Sequence, residues 1–253
     1  MDLNNAELQE RLAPRSIRYI PQVESTNDLA LAWLSEGAPQ GSAVIADEQT
    51  HGRGRLGRIW HTTSDTALIV SVILRPRADH LHQITMLGAL AICELVEYLG
   101  AVEVGIKWPN DVLLRGKKVS GVLPEAVWSG TQLSGVVLGM GVNVRVDFMG
   151  TELEDRAVSI ETVLGRSLNR ADLLQILLER VDFWAAQLGS ASIFTAWENR
   201  LLTLGQRVRV QASDGERLGL AQSVDPEGAL FLKTDDGAVH RILAGDIALG
   251  NVS

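Results

Sequence analysis

Apolar positions along the chain switch repeatedly between the spacing of a helix and the spacing of a strand, with no internal repeat and no low-complexity tract. After a short polar arm, Ser25-Thr26-Asn27 supplies capping side chains ahead of an apolar helical stripe over 28–34, which Gly37 closes. A short strand is predicted over 42–47. Residues 66–74 form a continuous apolar, β-branched run stopped by Pro76, the pattern of a buried strand. Helical spacing returns over 80–99, with Gly100 as its stop. Strand-like runs over 102–107, 111–114, 119–127 and 133–144 predict an antiparallel meander, and helices are expected over 157–164, 170–188 and 191–204. Trp33, Trp184 and Trp197 fall at apolar helical positions and read as core, as does the lone Cys93.

The texture changes at Leu204-Gly205. Short alternating runs over 207–212, 217–224, 229–233, 238–243 and 246–249 are separated by Asp214-Gly215, Pro226-Glu227-Gly228, Asp236-Gly237 and Gly245, which predicts a small five-stranded β-barrel. The expected architecture is therefore α+β, with a mixed sheet and helices in a first domain over 1–204 and a small β domain over 205–253.

Composition narrows the classes. With 46% hydrophobic and 21% charged residues in 253, the chain is neither disordered, collagenous nor a coiled coil. A net charge of −8 argues against wholesale binding to nucleic acid or anionic lipid. Over 206–253 five basic residues face seven acidic ones, so the predicted barrel is a poor phosphate binder as well. One cysteine excludes an intrachain disulfide and any multi-Cys zinc site, and the five histidines, His61 among them, show no ligand spacing. No apolar stretch approaches the ~20 residues of a membrane span and the amino terminus has no signal pattern, so a cytoplasmic protein is expected.

Two stretches carry candidate chemistry. Gly52-Arg53-Gly54-Arg55-Leu56-Gly57-Arg58 formally matches the dinucleotide fingerprint, but that motif needs a helix to begin within it, and here Ile59-Trp60-His61-Thr62-Thr63 leads on to another strand. What remains is a glycine-rich loop whose three arginines oppose the global charge, suited either to an anionic ligand group or to an exposed basic turn. The second stretch is Lys107-Trp108-Pro109-Asn110-Asp111, followed by Lys117-Lys118-Val119-Ser120-Gly121. Asn110-Asp111 is good turn chemistry for a hairpin corner. Strict alternation in the next strand would place Lys118 and Ser120 on one face and Val119, Gly121 and Leu123 on the other, with the lysine directed into a cleft beside a carboxylate of the preceding strand. Gly116-Lys117 is not a phosphate-binding P-loop lysine, because Asp111 stands where that motif needs glycine.

Taken in order, Ser25-Thr26-Asn27, the loop from Gly52 to Arg58, Lys107-Trp108-Pro109-Asn110-Asp111, Lys118-Val119-Ser120-Gly121-Val122-Leu123 and Gly139-Met140-Gly141-Val142-Asn143 resemble the biotin protein ligases. The resemblance spans about residues 20–250. It implies a catalytic domain related to class II aminoacyl-tRNA synthetases and lipoate ligases, followed by an SH3-like β-barrel. It also implies the reaction: biotin and ATP give biotinyl-5′-AMP, whose acyl group passes to a lysine of a biotin carboxyl carrier protein, with Mg2+ accompanying ATP. By resemblance, Ser25, Thr26, Asn27, Gln49, Arg53, Gly54 and Arg55 lie at the biotin site, where neutral hydroxyls and amides suit an uncharged ureido ring. Lys118 sits by the biotin carboxylate and α-phosphate, and Gly121 leaves room for the bicyclic ring. Arg55 meets the phosphate. Arg58, Trp60, Asn110 and Asn143 belong to the ATP side, Trp60 by stacking and Asn143 by hydrogen bonding. Asp111 is a further candidate, either to accept a proton from the acceptor lysine or to help hold magnesium.

Two departures matter. Repressor-type members carry an amino-terminal winged helix-turn-helix, whereas 24 residues precede Ser25 here, so DNA binding is not expected. Leu56 stands where some members have a further arginine. A monomer and a homodimer are both compatible with the resemblance. The rival readings are a lipoate or octanoate ligase of the same fold, and a nucleic-acid-binding module using the carboxy-terminal barrel.

Overall fold

The computed structural model of the chain describes residues 3–60, 63–212 and 215–249; His61 and the Asp214 half of the Asp214-Gly215 turn lie outside the described residues. The arm ahead of Ser25 is more ordered than its polarity suggested. It holds helix α1 (Asn5–Arg11), capped by the Asn4 side chain on the Glu7 amide at 2.9 Å, and strand β1 (Ile17–Val23). Leu3, Leu8, Leu12 and Ile17 anchor it in the core. These few apolar positions are too short a stripe to declare a helical period, yet tertiary burial is enough to fix them.

There follow α2 (Thr26–Ser35), β2 (Ala43–Gln49), a 3₁₀ turn at Arg55–Gly57, β3 (Ala67–Leu74), α3 (Gln83–Tyr98), β4 (Val104–Lys107), β5 (Asp111–Leu114), β6 (Lys117–Ser129), β7 (Gln132–Asn143), α4 (Ile160–Leu164), α5 (Arg170–Ala185) and α6 (Ala191–Glu198). Seven strands form one sheet in the order β1-β2-β3-β7-β6-β5-β4, antiparallel except for β1 against β2. Every residue of β3 is buried, because it lies inside the sheet with helices on both faces. Leu68, Val70, Val72 and Leu74 join the large core that includes α3 and α5, while Ile73 packs with Ala30, Leu34, Val44 and Val137 under α2. Fully buried aliphatic side chains such as Leu87 and Leu90 of α3 each contribute ~1.5–3 kcal/mol. Gly88 lets α3 approach the sheet: a Cβ there would stand 2.7 Å from Val122 Cγ1.

The second sheet comprises β8 (Arg207–Ala212), β9 (Gly215–Val224), β10 (Leu230–Thr234), β11 (Val239–Ile242) and β12 (Asp246–Leu249), all antiparallel in the order β11-β10-β9-β8-β12. This agrees with an SH3-like domain, although among the described residues no pairing joins β11 to β12 to close a barrel. Val208, Val210, Leu230, Leu232 and Ile247 point inward and run continuously into the core of the first sheet. Trp108, fully buried, seals the junction by donating its indole N–H to the Gly228 carbonyl at 2.9 Å. The helix expected over 191–204 stops at Glu198. Beyond it Leu202 donates to the Ile106 carbonyl at 2.9 Å and Ile106 to Arg200 at 2.7 Å, so this segment borders β4 and delivers the chain to the second sheet. Trp184 and Trp197 are core, whereas Trp33 is half-buried and covered by the Arg18 guanidinium at 4.2 Å from the ring centroid.

Candidate active site

One cleft of about 910 Å³ runs across the face of β6 and β7, and every site residue named from the sequence lines it: Ser25, Thr26, Asn27, Gln49, Arg53, Gly54, Arg55, Arg58, Trp60, Asn110, Asp111, Lys118, Gly121 and Asn143. Its two ends differ in charge.

The neutral end is built at the start of α2. Ser25 caps the helix, which commits the next two side chains to positions between α2 and the sheet. Gln49, at the end of β2, accepts from the Thr26 amide at 2.8 Å and from its hydroxyl at 3.0 Å. Buried Ser71 Oγ lies 2.8 Å from Thr26 Oγ1 and 2.6 Å from Asn27 Oδ1. Asn27 spends its amide hydrogens on the Leu123 carbonyl and the Glu125 carboxylate. The Arg53 side chain turns to the mouth of the cleft, where it pairs with Asp28 at 2.5 Å and with Glu125 at 3.5 Å. Its guanidinium is therefore tied to the wall.

The cationic end is built at the β5–β6 corner. Asp111 is buried and held between two ammonium groups, Lys118 at 2.6 Å and Lys107 at 3.3 Å. Strict alternation in β6 does not hold. A bulge between Val112 and Leu113 sets Ser120 opposite the first and Lys118 opposite the second, which skips Val119 and turns Lys118 onto the face of Gly121. A Cβ on Gly121 would stand 3.3 Å from Lys118 Nζ and 3.6 Å from the Trp60 ring. The extra residue in the bulge is what aims the lysine into the cleft.

The loop spans the two ends as a small hairpin, with Gly54 donating to the Arg58 carbonyl at 2.7 Å and Trp60 to the Gly52 carbonyl at 2.9 Å. Leu56 adopts φ +57 and is largely exposed. Arg55 points inward and donates to Asn110 Oδ1 at 3.1 Å, while Asn110 donates to the Val122 carbonyl at 2.8 Å. Burial lowers the Arg55 pKa and the nearby Arg58 pulls the same way, against the opposing pull of Asp111 and Asp246. Arg58 pairs with Asp246 of the second sheet. Trp60 lies over Gly141, where a Cβ would come 2.6 Å from the indole, and its ring centroid is 5.7 Å from Lys118 Nζ. Its buried indole N–H has no hydrogen-bond partner. Asn143 donates to the Lys118 and Val158 carbonyls, which leaves its amide oxygen as an acceptor.

Several lining residues were not singled out from the sequence. Lys107, at the start of the Lys-Trp-Pro-Asn-Asp stretch, bridges Asp111 to the Ile247 carbonyl at 3.2 Å. Phe148, Leu153 and Arg156 form a wall for which no periodicity gave a signal, and Asp246 and Ile247 arrive from the second sheet. Among the described residues no three His, Cys, Asp or Glu side chains come together to hold a metal, and both oxygens of Asp111 face ammonium groups, so the donor set makes no protein-held magnesium site. Cys93 is buried, which pushes its thiol up to about 12, and it lies outside the cleft. No helix among the described residues is long and apolar enough to cross a membrane.

Residues 19–143 match the Biotin/lipoate A/B protein ligase family and residues 203–250 match the Biotin protein ligase C terminal domain. A biotin–[acetyl-CoA-carboxylase] ligase of Paracoccus denitrificans is 34% identical over 86% of this chain and 94% of its own. The chain belongs to the biotin protein ligase family. A bifunctional ligase/repressor of Bacillus spizizenii is 33% identical over 96% of this chain and 77% of its own. The solved biotin protein ligase of Aquifex aeolicus, in complex with biotin and ATP, superposes with a TM-score of 0.79 at 29% identity, covering 93% of this chain and 98% of that one. In this biotin ligase fold, the glycine-rich loop and the β5–β6 corner face each other across the cleft.

Proposed function

We propose that the neutral end of the cleft receives biotin and the cationic end the phosphates of ATP; the chain is an ATP-dependent biotin protein ligase. The supporting observation is that split itself, with hydroxyls and amides around Thr26 and Gln49 at one end and Arg55, Lys107 and Lys118 at the other. A uniformly cationic cleft would suit a nucleotide alone.

In the first step a carboxylate oxygen of biotin attacks the α-phosphorus of ATP, forming the mixed anhydride and expelling pyrophosphate. Two anions must meet. Lys118, an ammonium on a flexible stem in a partly buried site, lies where it can follow the charge from carboxylate to phosphate, and Asp111 holds it ready. Arg55, steadied by Asn110, supplies the second cation from the loop. Gly121 leaves open the space a side chain would take beside Lys118. Trp60, with an indole N–H lacking a partner, and Asn143, with its free amide oxygen, fit the adenine side. Bound together with the nucleotide, magnesium would supply charge neutralisation on the phosphates; no residue role here depends on a protein-held metal.

In the second step a lysine amine of the carrier attacks the acyl carbon and AMP leaves. Asp111 can take the proton only after Lys118 or Lys107 turns to the phosphate, since these occupy its oxygens. The partner is the biotin carboxyl carrier protein of a biotin-dependent carboxylase. We take residues 1–204 as the catalytic domain and 205–253 as a second domain that completes the ATP side through Asp246 and Ile247. Ahead of the cleft, residues 3–24 form one seven-residue helix packed on the core and an edge strand.

The test is to incubate the protein with ATP and, in parallel, biotin, lipoate and octanoate, and to search for each acyl-adenylate by mass. Biotinyl-AMP alone is expected. Lipoyl-AMP or octanoyl-AMP in its place would establish the rival ligase of the same fold.

A further inference from the structure

Arg170, the first residue of α5, is fully buried, and nothing in the adenylation chemistry uses it. It lies at the base of the glycine-rich loop. The β2–β3 ladder has Ala46 opposite Ile69 as its last pair, while β2 continues to Gln49 alongside β1 through Glu48 and Gln49. The strand leaving for the loop and the strand returning from it therefore diverge before the loop begins. Arg170 fills the gap. Its Nη2 lies 2.7 Å from Asp47 Oδ1, on the outgoing strand, and 2.6 Å from Asp65 Oδ1, on the returning segment, and its Nη1 donates to the Ala67 carbonyl at 3.2 Å. Tyr19 of β1 donates to the other oxygen of Asp47, and Arg145 Nη1 donates to the Asp65 carbonyl at 3.2 Å.

We propose that Arg170 is a positioning residue for the loop, a clamp that sets the separation of its two ends and thereby the reach of Gln49 and Arg55 into the cleft. A buried guanidinium is a costly way to fill space, and apolar side chains of similar volume usually serve stability as well. What the ion adds is a charge whose Nη2 is shared by two carboxylates from different ends of one loop, while its Nη1 is fixed on the Ala67 carbonyl of the returning strand. Where reacting groups must meet within a fraction of an ångström, displacement of the support from which they reach lowers their effective concentration. Asp65 is the sensitive half of the clamp. It adopts φ +65, and its side chain is 40% exposed against 4% for Asp47, so its grip on Arg170 is what keeps the returning segment in place.

For its effect on catalysis the proposal rests on the biotin-ligase reading; its effect on the loop does not. Asp65→Asn keeps both shape and tolerance of positive φ while removing the charge, and Arg170→Lys keeps the charge while removing the planar pair of nitrogens that holds Asp65 and the Ala67 carbonyl together. Hydrogen exchange in the ligand-free protein should speed about tenfold across 50–60 in each variant, with β3 and α3 at wild-type rates. In adenylate formation the biotin KM should rise about tenfold with kcat changed less than about threefold, and the double variant should be no worse than the more severe single one. Unchanged loop exchange in Asp65→Asn overturns the clamp. So does a loss that tracks the fraction of folded protein, with biotin KM unaltered, because that is what a structural ion pair alone would give. If the wild type makes no biotinyl-AMP, the reading of the cleft fails while the exchange experiment still decides whether Arg170 holds the loop.

Discussion

Lys118 and Arg55 face the same cleft from supports of very different stiffness. Lys118 grows from the middle of a seven-stranded sheet, at a bulge between β5 and β6, with its ammonium on buried Asp111 and its backbone paired to Arg156 and Val158. Arg55 sits in a hairpin with Leu56 and Ile59 about two-thirds exposed, tied down mainly by side-chain contacts to Asn110, Asp28, Glu125 and Asp246. The sheet half holds its geometry through packing, whose cost was met in folding; the loop half holds its geometry through polar contacts that a ligand can exchange. An enzyme that makes a water-sensitive acyl-adenylate has use for both, one to fix the reacting charges and one to open for substrate and close over the intermediate.

The comparison breaks hardest at Lys118. Lys118→Ala should lower biotinyl-AMP formation by about two to three orders of magnitude, some 3–4 kcal/mol of transition-state stabilisation, with the melting temperature little changed because Lys107 still neutralises Asp111; pyrophosphate release measures it. On the loop side, Arg55→Gly should weaken retention of biotin and adenylate by about ten- to a hundredfold and let the adenylate label unrelated amines, seen by probing for biotin on a bystander protein. Between the two halves, Gly141→Ala would force the Trp60 indole off the floor of the cleft, since the new methyl would lie 2.6 Å from it, and should raise the ATP KM roughly tenfold while leaving biotin binding within about twofold. The smallest effect belongs to Asp246→Asn, which removes the charge facing Arg58. Exposed pairs contribute ~0–1 kcal/mol, so a change of about threefold or less is expected in adenylate lifetime, and it should vanish at high salt.

Much of the sheet half was legible in the sequence because its signals are periodic: the apolar run ending at Leu74, the long helix that Gly100 ends and the 111–114 strand all stand within a few residues of their places. The membership of the cleft was legible through motif order. What escaped was whatever depends on contacts distant in sequence. The bulge that turns Lys118 onto the Gly121 face has no local signature, so strict alternation assigned it the wrong partners. Arg53 carries the same charge as Arg55 and sits two residues away, yet one turns outward to Asp28 and the other inward to Asn110, a choice made by carboxylates on α2 and β6. The amino-terminal arm folds only because the core receives Leu3, Leu8 and Leu12.

The central claim, a preformed sheet half and a loop half that closes on its ligand, is tested most directly by residue-resolved hydrogen exchange with and without biotin and ATP. The account predicts that amides over 50–60 gain at least about tenfold protection when biotinyl-AMP forms, while those of β6 and β7 around Lys118, Gly121 and Gly141 change by less than about twofold. Equal protection of the loop in both states, or a gain shared uniformly by loop and sheet, would contradict it.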